Sequence, residues 1–223
     1  MRYFWSDPYL WIHLAGVATL PLMLGGCLLG LAVGSPVLPV WLELGLVAVA
    51  GIAPVLWMQW VRPFYIFSFL VVALRPEKLT ALQQRLLTRF KTPLNQGLTL
   101  VVPVVLAVIL WQLYRIAPLA AQVAPFPPHW RVAGLLLAAV AFLGSNLFLQ
   151  VPTSVVSVLL TSEAELTAAQ PYDLAKIRQD FTILGWQVSR ILPPVEDATM
   201  PATPAVPPVS ASLDTDPMTS TPE

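Results

Sequence analysis

Glu43 and Arg131 are the residues whose chemistry matters first, because each lies a few residues inside a long apolar run, where an ionised side chain is costly. Their signs are opposite and their depths match, so they predict a neutralising ion pair; the competing reading is a titrating Glu43 on an ion or proton path. His13 falls one turn inside another apolar run, where a neutral imidazole can hold a metal or a tetrapyrrole. It has no second ligand at helical spacing, so an interfacial hydrogen bond is the expectation, and no metal or cofactor is implied. Gln59, Gln112, Asn146 and Gln150 are placed to bond between helices. The chain has two histidines and one cysteine in 223 residues, and it lacks a phosphate-binding loop, a dinucleotide glycine pattern, a nucleophile elbow and a zinc-type histidine pair. A non-enzymatic protein is the expectation.

The elements that must position these residues are membrane spans. Hydrophobic residues make up 57% of the chain and charged ones 11%, against about 25% charged in soluble domains. Four windows are long enough to cross a hydrocarbon core: residues 11–34, 38–60, 97–116 and 129–150. The fold class is therefore an all-α integral membrane protein with four spans. Pro21, Pro54 and Pro103 predict kinks rather than breaks. With four spans both termini share a side, and that side collects Arg2, Arg62, Arg75, Lys78, Arg85, Arg89, Lys91, Lys176, Arg178 and Arg190. Only Arg115 and Arg131 fall opposite, which places both termini in the cytoplasm. Trp5, Trp11, Trp57 and Trp60 then mark one interface, and Trp41, Trp111, Tyr114 and Trp130 the other.

Leu24-Gly25-Gly26-Cys27 has the form of a lipidation site, but the apolar run continues past it and the leader carries Asp7 and a single Arg before the run. Gly25, Gly26 and Gly30 instead read as a smooth face for close helix packing. Offsetting the sequence by 89 aligns Pro36, Pro39, Trp41, Gly45 and Pro63 with Pro125, Pro128, Trp130, Gly134 and Pro152. This suggests a tandem duplication. Each copy is a hairpin of two spans, then a short apolar segment (63–74 and 152–161) that lies flat or re-enters, then a surface helix. The expected organisation is a first repeat over 1–92, a second over 93–171, a helix over 172–192 and a tail over 193–223.

Residues 77–91 form a basic amphipathic pattern, with Leu79, Leu82, Leu86 and Phe90 on one face and Lys78, Arg85, Arg89 and Lys91 around it. These cations are expected at anionic headgroups, with the helix on the membrane. Residues 172–192 place Leu174, Ile177, Phe181, Leu184, Val188 and Ile191 at steps of three and four, a helical stripe. That stripe packs on the membrane or on the other surface helix, or docks a partner with Trp186 as its anchor. All twelve Lys and Arg lie at or before Arg190, whereas five of the twelve acids follow Leu192, so the zero net charge joins a basic body to an acidic tail. The tail holds eight prolines among Ala, Ser, Thr and acids, a composition expected to be disordered.

The strings SDPYLWIHLAG, WMQWVRPFYIFSFLVVALRPEKLT and WQLYRIAPLA, together with the Pro/Ser/Thr tail, resemble the low-complexity tail membrane proteins of cyanobacteria. The resemblance covers residues 1 to about 192. It implies a plasma or thylakoid membrane and transfers no mechanism or site residues. The leading expectation is a scaffold or assembly factor for a membrane complex, with the bilayer and a membrane protein as partners and no nucleic acid. A small duplicated transporter or channel using Glu43 ranks second, and tetrapyrrole or pigment binding through His13 third.

Overall fold

The computed structural model describes residues 3–69 and 71–192; the tail lies outside the described residues. The chain is mostly helical, and four stretches are long and apolar enough to span a bilayer: Pro8–Leu31, Val40–Val61, Asn95–Val123 and Arg131–Leu159. The first span is α1 (Pro8–Ala15) and α2 (Leu20–Leu31), joined by a 3-10 turn at Gly16–Thr19. Asp7 starts it by accepting the Tyr9 N–H, with Pro8 in the first turn, where a missing N–H costs nothing. Pro21 likewise sits in the first turn of α2, so the expected kink is a local change of helix type. The second span is α3 (Val40–Val61). After it come the strands β1 (Ser68–Phe69) and β2 (Val72–Leu74) and the helix α4 (Ala81–Phe90). The third span is α5 (Pro93–Ile116), extended by a 3-10 segment at Ala117–Val123, and the fourth is α6 (Arg131–Leu159). The short helices α7 (Glu163–Ala168) and α8 (Leu174–Asp180) and the strand β3 (Trp186–Val188) follow.

Two cores result. One lies among the spans and includes Cys27, Leu31, Val47, Leu106, Ala138 and Phe142. The other forms a cap at one end of them, where Phe4, Tyr65, Phe67, Leu86, Leu87, Leu166, Ile177 and Phe181 are all fully buried. The hub of both is α6, which packs against α1, α2, α3 and α5 within the spans and reaches α4 in the cap. Close approach to α2 rests on two glycines: a Cβ on Gly30 would stand 2.5 Å from the Gly134 carbonyl, and one on Gly134 2.6 Å from the Gly30 carbonyl. Gly26 touches the Ala141 methyl, whereas Gly25 faces open space, so the small-residue face uses two of its three glycines. Gly30→Leu is expected to lower the melting temperature of purified protein sharply, through overpacking worth at least about 1–3 kcal/mol, while Gly25→Leu leaves it near wild type.

The segments that follow the second and fourth spans do not share a structure. Residues 63–74, expected as a shallow helical segment, enter a three-stranded sheet of order β1-β2-β3. Ser68 and Phe69 pair antiparallel with Ala73 and Val72, and Val72–Leu74 run parallel to Trp186–Val188. Aromatic and β-branched residues dominate YIFSFLVVAL, and such side chains favour a pleated surface. Residues 152–161 instead continue α6 to Leu159, with Pro152 inside the helix. Hydroxyls of Thr153, Ser157 and Thr161 bond back to the carbonyls of Leu149, Ser154 and Ser157 and are so satisfied along the helix without a partner element. The repeat pattern seen at offset 89 therefore does not carry into these segments.

Residues 172–192 are likewise not one helix. The chain leaves α8 at Phe181, turns at Gly185 with φ +93°, and adds β3 to the sheet. A Cβ on Gly185 would lie 2.3 Å from the Val71 carbonyl carbon, so only glycine fits this turn. Besides the stripe at steps of three and four, the segment carries apolar pairs at steps of two, Phe181 with Ile183 and Trp186 with Val188, and pairing with distant β2 decides between the two periods.

Candidate functional site

The ion pair of Glu43 and Arg131 closes the end of the bundle opposite the cap. Arg131 is the first residue of α6, and its Nε donates to Glu43 Oε2 at 3.0 Å, with Nη2 donating to the same oxygen. Nη1 donates to the carbonyls of Leu31 at 2.7 Å and Val33 at 2.9 Å, which end the first span. These are C-terminal carbonyls, the negative end of α2, and a cation is favoured there. Glu43 Oε1 accepts the backbone N–H groups of Val37 at 2.9 Å and Leu38 at 3.2 Å, just ahead of α3. The side chains are 1% and 3% exposed. Both carboxylate oxygens and all three guanidinium nitrogens are thus committed, and one clamp ties together spans one, two and four.

Further along α6, polar side chains bond to the other spans. Asn146 Nδ2 donates to the Gly51 carbonyl of α3 at 3.0 Å. Gln150 Nε2 donates at 3.4 Å to the Thr99 carbonyl of α5, the acceptor left without its helical donor by Pro103. Ser157 Oγ donates to Asn95 Oδ1 at 3.1 Å, and Asn95 Nδ2 to the Phe90 carbonyl at the end of α4. The carbonyl freed by one span proline, Pro103, is thus served by an amide from α6. Gln59 turns the other way, its Oε1 accepting the Phe64 N–H beyond α3, and Gln112 lies exposed beside Arg115. Asn95 and Ser157 were not singled out from sequence; neither is ionisable, and their only signal is polarity within an apolar stretch.

His13 joins the first span to the cap. Its Nδ1 lies 2.8 Å from the Tyr9 carbonyl oxygen and its Nε2 3.1 Å from that of Ser68 in β1. The ring stacks on Phe69 at 5.6 Å and tilts against Phe64 at 5.6 Å. Both nitrogens face protein carbonyls, so neither is directed at an open coordination position. No group of three or more potential metal ligands occurs among the described residues.

In the cap, the apolar face of α4 covers protein rather than lipid, which corrects its expected placement on the membrane. Leu86, Leu87 and Phe90 are buried against the cap core. A Thr80–Gln83 capping box starts the helix, and Gln83 also donates to Asp7 Oδ2 at 3.1 Å, tying α4 to the start of span one. Burial pushes the Asp7 carboxyl above its ordinary range, against the Gln83 and Tyr9 hydrogen bonds that lower it. Of the four cations expected at headgroups, Arg89 lies 3.6 Å from Glu165 and Lys91 3.2 Å from Asp180. Lys78 is exposed and Arg85 half-buried. The hydrogen bond from the Tyr172 hydroxyl, followed by Lys91, holds the Asp180 carboxyl below its usual range.

The expected docking face divides. Ile177 and Phe181 are fully buried, Leu184, Val188 and Ile191 are half-buried, and Leu174 is marginally exposed. Trp186 alone projects, 80% exposed on the edge strand β3 and next to Val71, which is 64% exposed. Its backbone N–H donates to the Val71 carbonyl.

No curated protein and no solved structure matches this chain. The family model described as low-complexity tail membrane protein-like matches residues 6–193, which include all four spans and the described cap apart from residues 3–5. On that match, the chain belongs to the low-complexity tail membrane protein-like family.

Proposed function

We propose that this integral membrane protein is a non-enzymatic organiser, a four-span body that presents a folded cap to a partner in a membrane complex. By the distribution of basic residues the cap faces the cytoplasm. The observation that carries the reading is how the side chains are spent. Glu43 and Arg131 are closed on each other and on backbone groups, whereas Trp186 stands 80% exposed on the edge strand of the sheet. An exposed aromatic on a strand at the edge of a sheet is a feature that partner strands or apolar pockets use.

Transport through Glu43 is less favoured, because a carboxylate with both oxygens committed has no open position for a passing ion. Pigment ligation by His13 is less favoured for the same reason at each ring nitrogen. The test is co-purification from gently solubilised membranes with wild type and Trp186→Ala. The expected result is a reproducible set of membrane-protein partners that Trp186→Ala weakens at an unchanged protein level. A clean monomer without reproducible partners would sink the proposal.

A further inference from the structure

A cleft opens on the flank of the bundle where α1, α6 and β1 meet. It encloses about 170 Å³. Ile12 and Gly16 form one wall and Leu147, Phe148, Val151 and Pro152 the other, while Phe64, Ser68 and Phe69 form the roof and His13 the corner. Apart from the His13 and Ser68 corner the lining is apolar, and the Nε2 of His13 is turned to the Ser68 carbonyl. For scale, an apolar cavity of about 150 Å³ takes up benzene.

Both walls belong to spans, and Ile12 at the lip is 41% exposed, so the cleft is continuous with the surface that the first and fourth spans turn to lipid. Of its lining, Gly16 lies about two turns inside the start of the first span and Val151 about two turns inside the end of the fourth. At that depth the medium bathing the opening is acyl chain, not water. A concave apolar surface left unfilled there forfeits dispersion contacts along its whole lining. We infer that this cleft is a lipid site holding the upper segment of one acyl chain of a diacyl membrane lipid, wedged between span one and span four beneath the β1 roof. The roof and the His13 bridge give the site a fixed shape that the convex flanks of α3 and α5 lack.

Gly16 provides the test. A Cβ there would meet only the Phe148 ring edge at 3.4 Å, and its backbone is ordinary right-handed helix, so Gly16→Leu fills the cleft without straining the chain. Gly45→Leu is the control, since Gly45 faces open space on the second span. Wild type and both variants are reconstituted with phosphatidylcholine carrying a diazirine in the upper part of one acyl chain, then irradiated, and the labelled positions are read by mass spectrometry. Labelling at Ile12, Phe69 and Phe148 is expected to exceed that at the lipid-facing residues Trp57 and Leu100 by about tenfold, the excess of a retained over an exchanging chain. It should fall to their level in Gly16→Leu and stay unchanged in Gly45→Leu. Equal labelling around the bundle in wild type would mean annular contact only and overturn the inference, and so would cleft labelling that survives in folded Gly16→Leu. Should Gly16→Leu fail to fold, the wild-type comparison decides alone.

Discussion

Arg131→Leu is expected to cost about 3–5 kcal/mol and to abolish accumulation of folded protein, because it leaves the Glu43 carboxylate buried without its counter-charge. The same substitution also strips the Leu31 and Val33 carbonyls of their donors. Glu43→Leu should fail comparably, since it strands a buried guanidinium and two backbone N–H groups. The double variant Glu43→Leu/Arg131→Leu removes both charges together and should recover part of the loss, with the four backbone groups setting the remainder. Exchanging the two residues should recover nothing. An arginine at 43 would face the N–H groups of Val37 and Leu38 as a donor facing donors, and a glutamate at 131 would face two carbonyls as an acceptor facing acceptors. Yield of monodisperse protein and its melting temperature measure all four. Full rescue by the exchange would show that the pair acts through charge alone.

The second large effect lies in the cap. Phe181→Ala should destabilise the protein by about 3–5 kcal/mol, as truncation of a fully buried aromatic does, whereas Trp186→Ala should change stability by less than about 0.5 kcal/mol. A single helix over 172–192 would set the two residues about 140° apart around its axis and would leave residues 186–188 unpaired with β2. The sheet separates them: Phe181 lies under the roof formed by Tyr172, packed edge-on at 5.3 Å, and Trp186 lies outside it. Thermal unfolding of the two variants, and protection of the β2 and β3 amides from hydrogen exchange, distinguish these geometries.

The spans were legible because their signal is composition summed over some 20 residues, and no tertiary contact is needed to read it. The Glu43–Arg131 contact was foreshadowed for a related reason: in an apolar run a charge has few ways to be satisfied, so two opposite charges at one depth point to each other. Its four backbone partners were not foreshadowed, since any chain turning at a span end offers free carbonyl and N–H groups. The cap was misread because its apolar residues fit more than one period. The choice between helix and strand at Trp186–Val188 is made by β2, more than a hundred residues earlier in the chain. The matched prolines 63 and 152 illustrate the same point from the other side. Pro63 follows the end of α3, where the chain becomes extended, while Pro152 lies inside α6, which continues to Leu159. Gly45 and Gly134, also matched, differ as much: one faces open space and the other touches Gly30.

On the proposed function, the one intramembrane ion pair among the described residues is architecture and the working surface is the cap. Reconstituting wild type and Glu43→Gln into liposomes, and measuring proton and cation flux against the amount of folded protein in each, tests it most directly. The account predicts no flux above empty liposomes for wild type and a reduced folded yield for Glu43→Gln, whose neutral amide cannot balance Arg131. A wild-type flux that Glu43→Gln eliminates at normal folded yield would contradict it and make Glu43 the centre of a transport path.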